Sequence, residues 1–331
     1  MNTTTLSLGE SSLQKFGRKA GKAWQSFGPL VIFVLLFAMV CGYTPTFLGN
    51  GGFTIVAASA APILLVALGQ SMVLNIGSID LSNAAVTLLG AILLAMTLQP
   101  LAGAAPFVVL ALVTLFGAVN GAIFAFTQVP SFALTLGTFG VFQSAALVVS
   151  GATTVYVTAN GDSVQSLYFN NLFGVPYTFV LGVVVAVLAW LFLRFTKAGR
   201  GMTAIGKNES GAIFSGIRTK ALKVSAFAIS GFMAGLAGVT IIAQAGCASP
   251  TGLGSDLLLP GITAAIVGGT SISGGQTNPV NVIFGALTVA LVPIATAALG
   301  IEAQAQSLVY GAVIIVIVAL TLSRSKNSIV K

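Results

Sequence analysis

The 331-residue chain is 56% hydrophobic and only 6% charged, with 14 Lys and Arg against 6 Asp and Glu, a net charge of +8. A soluble domain usually carries about 25% charged residues, so a soluble fold is excluded. Histidine is absent, which removes the commonest metal ligand and the usual general base at neutral pH, so no metal site, cofactor or catalytic residue is expected.

At about 20 residues per crossing, the chain accommodates roughly nine to eleven transmembrane helices and little else. The basic residues set their orientation. Every Lys and Arg lies within 15–22, 194–223 or 324–331, and none occurs from 23 to 193. Each cluster flanks an apolar run, as cytoplasmic segments do in multi-pass proteins, with anionic lipid headgroups as a secondary attraction. The same placement argues against nucleic acid as the reason for the positive charge.

Residues 1–26 read as a cytoplasmic segment in which 11–24 form either a basic amphipathic helix on the membrane surface or a disordered tail. No small-residue cleavage pattern follows the first apolar run, so that run is expected to stay as an anchor. Spans are expected at 28–43, 53–76, 84–98, 106–126, 132–149 and 177–193. The second and third are parted by Gly-Ser-Ile-Asp-Leu-Ser-Asn at 77–83. The polar stretch 151–176 has no Lys or Arg and is expected to face outward.

The basic loop 194–223 holds seven of the 14 Lys and Arg residues. Beyond it, spans are expected at 224–245, 257–267, 280–299 and 307–322, and the short eighth runs into a polar, glycine-rich stretch at 268–279. Ten spans return both termini to the cytoplasm. The expected fold is therefore an all-α polytopic membrane protein with a transmembrane domain at 27–323 and a short cytoplasmic tail at 324–331.

The two polar breaks, 77–83 and 268–279, occupy corresponding places in two halves. Such breaks point to an internal repeat and a translocation pathway, because broken backbone survives only inside protein or along a wet cavity. The alternative is a pair of ordinary cytoplasmic turns. Asn75, Asp80, Ser82, Asn83, Asn278 and Asn281 are the candidate pathway residues. A carboxylate deep in a span costs about 2.5–3.5 kcal/mol on insertion scales, so Asp80 reads as a gate, a proton-coupling group or a helix N-cap.

Other features have plainer readings. Cys41 and Cys247 have no CxxC spacing and read as free thiols. Asp162, Asp256 and Glu302 read as solvated groups on the outer side. Gly231, Gly235 and Gly238 fall mostly on one helix face and suit close helix packing. The stretch 201–208 approaches a phosphate-loop pattern, but Asn208 stands where a hydroxyl should hold magnesium and no strand pattern precedes it. Any ATPase therefore belongs to another chain.

The stretch Ala-Gly-Arg-Gly-Met-Thr-Ala-Ile-Gly-Lys-Asn-Glu-Ser-Gly-Ala-Ile-Phe-Ser-Gly-Ile at 198–217 resembles the cytoplasmic signature of ribose-type sugar permeases, the membrane subunits of bacterial ABC importers. Three more stretches are similar to motifs of that family, in the same order: 77–82, 129–138 and 268–275. The resemblance implies a bacterial inner-membrane permease working with ABC ATPase subunits, an extracytoplasmic solute-binding protein and a second permease subunit, identical or related. It implies import of a sugar or similar small polar solute by alternating access, with no enzyme activity of its own.

The loop after the sixth span would then dock into the ATPase through Arg200, Gly206, Asn208, Glu209, Ala212, Ser215 and Gly216. Asn208 suits the cap of a short helix opening at Glu209, whose charge favours a helix N-terminus. Gln143-Ser144, Thr277, Asn281 and the stretch 256–260 depart from the family pattern near the expected pathway, which bears on the substrate more than on the architecture. Two readings compete with the importer: an ion-coupled secondary transporter using Asp80, and a membrane scaffold or channel subunit.

Overall fold

The computed structural model describes residues 12–49, 51–127, 129–251 and 255–300, with 302, 305, 308, 309, 311 and 312 beyond them. The tail at 324–331 and nearly all of the expected tenth span lie outside the described residues.

The basic segment and the first span form one helix, α1 (Ser12–Tyr43), followed by the single turn α2 (Thr46–Gly49). Next come α3 (Gly52–Asn75), α4 (Asn83–Leu101), α5 (Ala105–Thr127) and α6 (Ser131–Val149). A short α7 (Asp162–Phe169) lies in the polar stretch before α8 (Tyr177–Phe195). The basic loop holds α9 (Lys197–Lys207) and α10 (Glu209–Phe214). Then follow α11 (Thr219–Ala245), α12 (Leu258–Val267) and α13 (Pro279–Ala298).

Among the described residues, six helical stretches are long and apolar enough to cross a membrane: α3, the run Asn83–Thr127, α6, α8, α11 and α13. The run Asn83–Thr127 is 45 residues long. At about 1.5 Å per residue this is twice the hydrocarbon thickness of a bilayer, so the run must fold back. It turns at the 3-10 segment Ala102–Ala104, where Ala102 takes a positive φ of 45°. By contrast α12 has 10 residues, about half of a crossing.

Helices α3, α11 and α13 form the interior, while α5, α6 and α8 turn one apolar face outward. Helix α11 packs on α3, α4 and α5, and α13 on α1, α3 and α12. Small residues permit the closest approaches. A Cβ on Gly231 would stand 2.5 Å from the Val113 carbonyl oxygen, one on Gly235 2.5 Å from Val113 Cγ2, and one on Gly238 2.9 Å from Ala91 N. The glycine face of α11 therefore sits against α5 and α4, where the missing side chains bring backbones into contact.

The polar stretch is not wholly helical. Strand β1 (Val155–Tyr156) pairs antiparallel with β4 (Cys247–Ala248), tying the stretch to the end of α11. Strands β2 (Asn171–Leu172) and β3 (Val175–Pro176) form a hairpin whose turn residues Phe173 and Gly174 have φ of 52° and 83°. Asp162, Asp256 and Glu302 are exposed, and Cys41 and Cys247 are free and half-buried.

Candidate functional site

The basic loop folds into two short helices joined at one residue. Thr196 opens α9 by accepting the Gly199 N–H at 2.9 Å through its side-chain oxygen. The stretch resembling a phosphate loop is the body of this helix, which follows α8 directly. Asn208 leaves the helical region (φ −163°, ψ 100°), and its Oδ1 accepts the Gly211 N–H at 3.0 Å, capping α10. Glu209, in the first turn of α10, pairs with Lys223 of α11 at 2.6 Å.

Helix α10 ends in a left-handed glycine closure. Gly216 (φ 75°) donates to the Ile213 carbonyl at 2.9 Å and Ile217 to that of Ala212 at 3.1 Å. Ser215 returns its hydroxyl to the Gly211 carbonyl at 2.8 Å. Ala212 is buried in the cluster that holds Met202, Ile205, Val73, Ile76 and Phe227. On the other side Ile213 is 54% and Phe214 92% exposed, so α10 ends in an uncovered apolar tip. Arg200 is exposed on α9.

The first break lies between α3 and α4, and most of its polar side chains are met from a neighbouring helix or from within, while the buried Oδ1 atoms of Asn75 and Asn83 are left without a partner. Asp80 Oδ1 accepts from Ser82 N at 3.1 Å and Ser82 Oγ at 2.6 Å, and Oδ2 accepts from Ser230 Oγ of α11 at 2.8 Å. Asn83 Nδ2 donates to Ser230 Oγ at 2.6 Å and to the Ser230 carbonyl at 3.0 Å. Asn120 of α5 donates to Ser82 Oγ at 2.9 Å and to Thr138 Oγ1 of α6 at 3.1 Å. The backbone N–H groups of Ile79 and Leu81 reach Ser131 Oγ at 3.1 Å and Thr135 Oγ1 at 3.0 Å.

Asp80 thus does not cap α4, whose N-cap residue is Ser82 with no side-chain capping bond, but closes a turn onto Ser82 and braces the break to α11. It is 2% exposed, and Ser82 and Asn83 are 1% and 2%. Ser82 and Ser230 donate to Asp80 through hydroxyl and backbone groups, which satisfy a carboxylate without a proton relay.

The second break lies between α12 and α13. Asn278 accepts from Val280 N at 3.2 Å and so caps α13, while Thr270 and Thr277 join hydroxyls at 2.8 Å. Asn281, in the first turn of α13, is buried. Gly274 and Gly275 take φ of 89° and 72°, and Gly275 donates its N–H to the Asn75 carbonyl at 2.9 Å. Asn75 Nδ2 donates in turn to Thr203 Oγ1 of α9 at 3.1 Å.

Three backbones meet here. A Cβ on Gly274 would stand 2.8 Å from Gly77 Cα and 3.0 Å from Gly206 Cα, and one on Gly206 would overlap Asn75 O and Gly275 N. The end of α3, the end of α9 and the second break therefore touch with no side chain between them. Both breaks lie at the basic-loop end of the bundle.

Of the residues expected from sequence, the structure brings Asn75 and Gly206 to this junction and Asp80, Ser82 and Asn83 to the first break. Asn208, Glu209, Ala212, Ser215 and Gly216 build α10. Sequence reasoning passed over Thr135, Thr138, Asn120 and Ser230. The signal was present in part: Ser131, Thr135 and Thr138 place three hydroxyls at i, i+4 and i+7, one helical face.

Over residues 52–318 the chain matches the family described as the permease component of the branched-chain amino acid transport system. The chain belongs to this permease family. The permease is 31% identical over 306 residues to the D-allose transport system permease protein AlsC of Escherichia coli (strain K12), covering 90% of this chain and 91% of that one. It is 31% identical over 299 residues to the ribose import permease protein RbsC of Haemophilus influenzae, covering 89% and 91%. It is 33% identical over 262 residues to the autoinducer 2 import system permease protein LsrC of Escherichia coli O9:H4 (strain HS), covering 78% and 75%. No solved structure matches it. With six apolar stretches among its described residues, the permease is a multi-pass inner-membrane protein of the ribose-type ABC importer class.

Proposed function

We propose that this permease carries a sugar or a similar small polar solute into the cytoplasm, driven by ATP that a separate subunit hydrolyses. The family supplies the frame, in which permeases work with an ATPase and a periplasmic binding protein. The D-allose and ribose after which relatives are named favour a sugar over a branched-chain amino acid.

The observation that carries the coupling role is α10. It is capped at Asn208, closed at Gly216, paired to α11 through Glu209, and bears Ile213 and Phe214 uncovered at its tip. An exposed aromatic on a short, fixed helix at the end of a basic loop suits insertion into a groove of a partner. In our reading Arg200, Gly206, Asn208, Glu209, Ala212, Ser215 and Gly216 shape this docking element, and Ile213 and Phe214 enter the ATPase.

We assign Asn75, Asp80, Ser82, Asn83, Asn278 and Asn281 to the frame at the loop end of the pathway rather than to its wall. Five of the six are buried within one protomer, and Asn75, Asp80, Ser82, Asn83 and Asn278 bond to polar groups of the same chain. The full assembly has two permease subunits, each with about ten crossings and both termini cytoplasmic, the arrangement that the basic clusters favour. Alternating access is then a two-state equilibrium biased by nucleotide and by the docked binding protein.

Purification of the tagged permease from its host in mild detergent, with mass spectrometry of what accompanies it, tests this reading. A P-loop ATPase should be recovered, and lost on alteration of residues 206–216. A stable preparation without any ATPase overturns it.

A further inference from the structure

We propose that Thr203 and Gly206 are positioning residues for energy coupling, through which the last turns of α9 bear on both buried breaks at once. This rests on the importer reading above and adds the route by which the loop reaches the membrane helices.

The contacts run in a short series. Phe214 and Ile213 stand at the exposed tip of α10. Asn208 joins α10 to α9, with its own N–H held by the Ala204 carbonyl at 3.0 Å. Two residues back along α9, Gly206 meets Asn75 O and Gly275 N with no room for a methyl group. One turn earlier, Thr203 Oγ1 receives the Asn75 side chain at 3.1 Å. Lys207 completes the junction, since a Cβ on Gly275 would stand 2.8 Å from Lys207 N.

Side chains between moving parts absorb a displacement by changing rotamer, but touching backbones do not, and close-packed protein transmits strain. A push on α10 therefore reaches α9 through Asn208 and through Ala212, which is buried in one cluster with Met202 and Ile205, and then the end of α3 at Asn75 and the second break at Gly275 together. The Gly275–Asn75 hydrogen bond couples those two in their own right, at 2.9 Å. A loop held only by its chain connections and by the Glu209–Lys223 pair would have no use for this contact. Gly206 is the one position where α9 enters it without a side chain.

The test reconstitutes the parent permease, Thr203→Val, Thr203→Ser and Gly206→Ala in proteoliposomes with the co-purified ATPase and the binding protein. Labelled D-ribose and D-allose are the probes, and the readout is sugar imported per ATP hydrolysed. ATPase recruitment is measured alongside, because α10 is intact in every variant.

The expected result for Thr203→Val is a ratio lowered about fivefold, the factor carried by one net hydrogen bond, with the ATPase still bound. Thr203→Ser keeps the hydroxyl and should restore the parent ratio. Gly206→Ala forces backbones apart and should lower the ratio by about tenfold or more. A merely structural role would reduce the yield of assembled complex and leave the ratio unchanged. A parent-level ratio in Thr203→Val overturns the inference, including where Gly206→Ala fails to assemble. A parent that imports neither sugar and recruits no ATPase overturns the importer reading and this inference together.

Discussion

Ser230 donates its hydroxyl to Asp80 at 2.8 Å, joining positions 150 residues apart and fixing the break between α3 and α4 to the middle of α11. A carboxylate held by Ser82 and Ser230 serves as an acceptor, which an amide can largely replace. Asp80→Asn should keep ATP-driven uptake at both pH 6 and pH 8, with thermal stability lowered by about 1–3 kcal/mol. Asp80→Leu, which leaves the Ser82 N–H and two hydroxyls unmet, should be far less stable. Loss of uptake in Asp80→Asn with the ATPase still bound would restore the ion-coupled reading.

Thr135 is fully buried and holds the Leu81 N–H at 3.0 Å. Thr135→Val preserves shape and leaves that donor without an acceptor, so a loss of about 1–3 kcal/mol is expected. Thr135→Ser should stay close to the parent. Thermal unfolding in detergent, followed by loss of the monodisperse peak, measures both.

The seam between α5 and α11 depends on Gly117 and Gly231, which face each other with Cβ room for neither. A Cβ on Gly117 would overlap the Phe227 carbonyl oxygen, and one on Gly231 would stand 3.1 Å from Gly117 Cα. Each change to Ala should destabilise the permease by about 1–3 kcal/mol. Gly140, on the outward face of α6, has nothing within 4 Å of a Cβ. Gly140→Ala should be neutral, or stabilising by about 0.5–1 kcal/mol through helix propensity. Equal effects at the three sites would contradict the packing described.

Phe214 touches little of its own chain, being 92% exposed. Phe214→Ala should therefore leave thermal stability within about 0.5 kcal/mol of the parent. Its affinity for the ATPase should fall by roughly tenfold or more, as for an aromatic anchor at an interface centre. Titration of the purified ATPase against the two permeases in detergent decides this. Asn208→Ala acts differently, fraying α10 by loss of a cap that contributes about 1 kcal/mol.

The membrane environment, the helical class and the position of the basic loop between two apolar halves were already set by the sequence. Those properties follow from local physics. Apolar runs need about 20 residues to cross a bilayer, charges are excluded from them, and caps such as Asn208 act on backbone three residues away. The two breaks at 77–83 and 268–279 were legible for the same reason, since stretches rich in polar residues and glycine cannot continue an apolar helix. The resemblance at 198–217 also pointed to the permease family to which the chain belongs.

What the breaks touch was decided only by the tertiary structure. Asp80 and Ser230, or Asn75 and Thr203, lie 150 and 128 residues apart, and no local pattern says that they share a site. Gly206 in the sequence is one glycine among 39. Its meaning comes from the backbones of Asn75 and Gly275 arriving where its side chain would be. Burial partners are set by how helices pack, and in a bilayer that packing is governed by shape and hydrogen bonding, since apolarity is the same on every side.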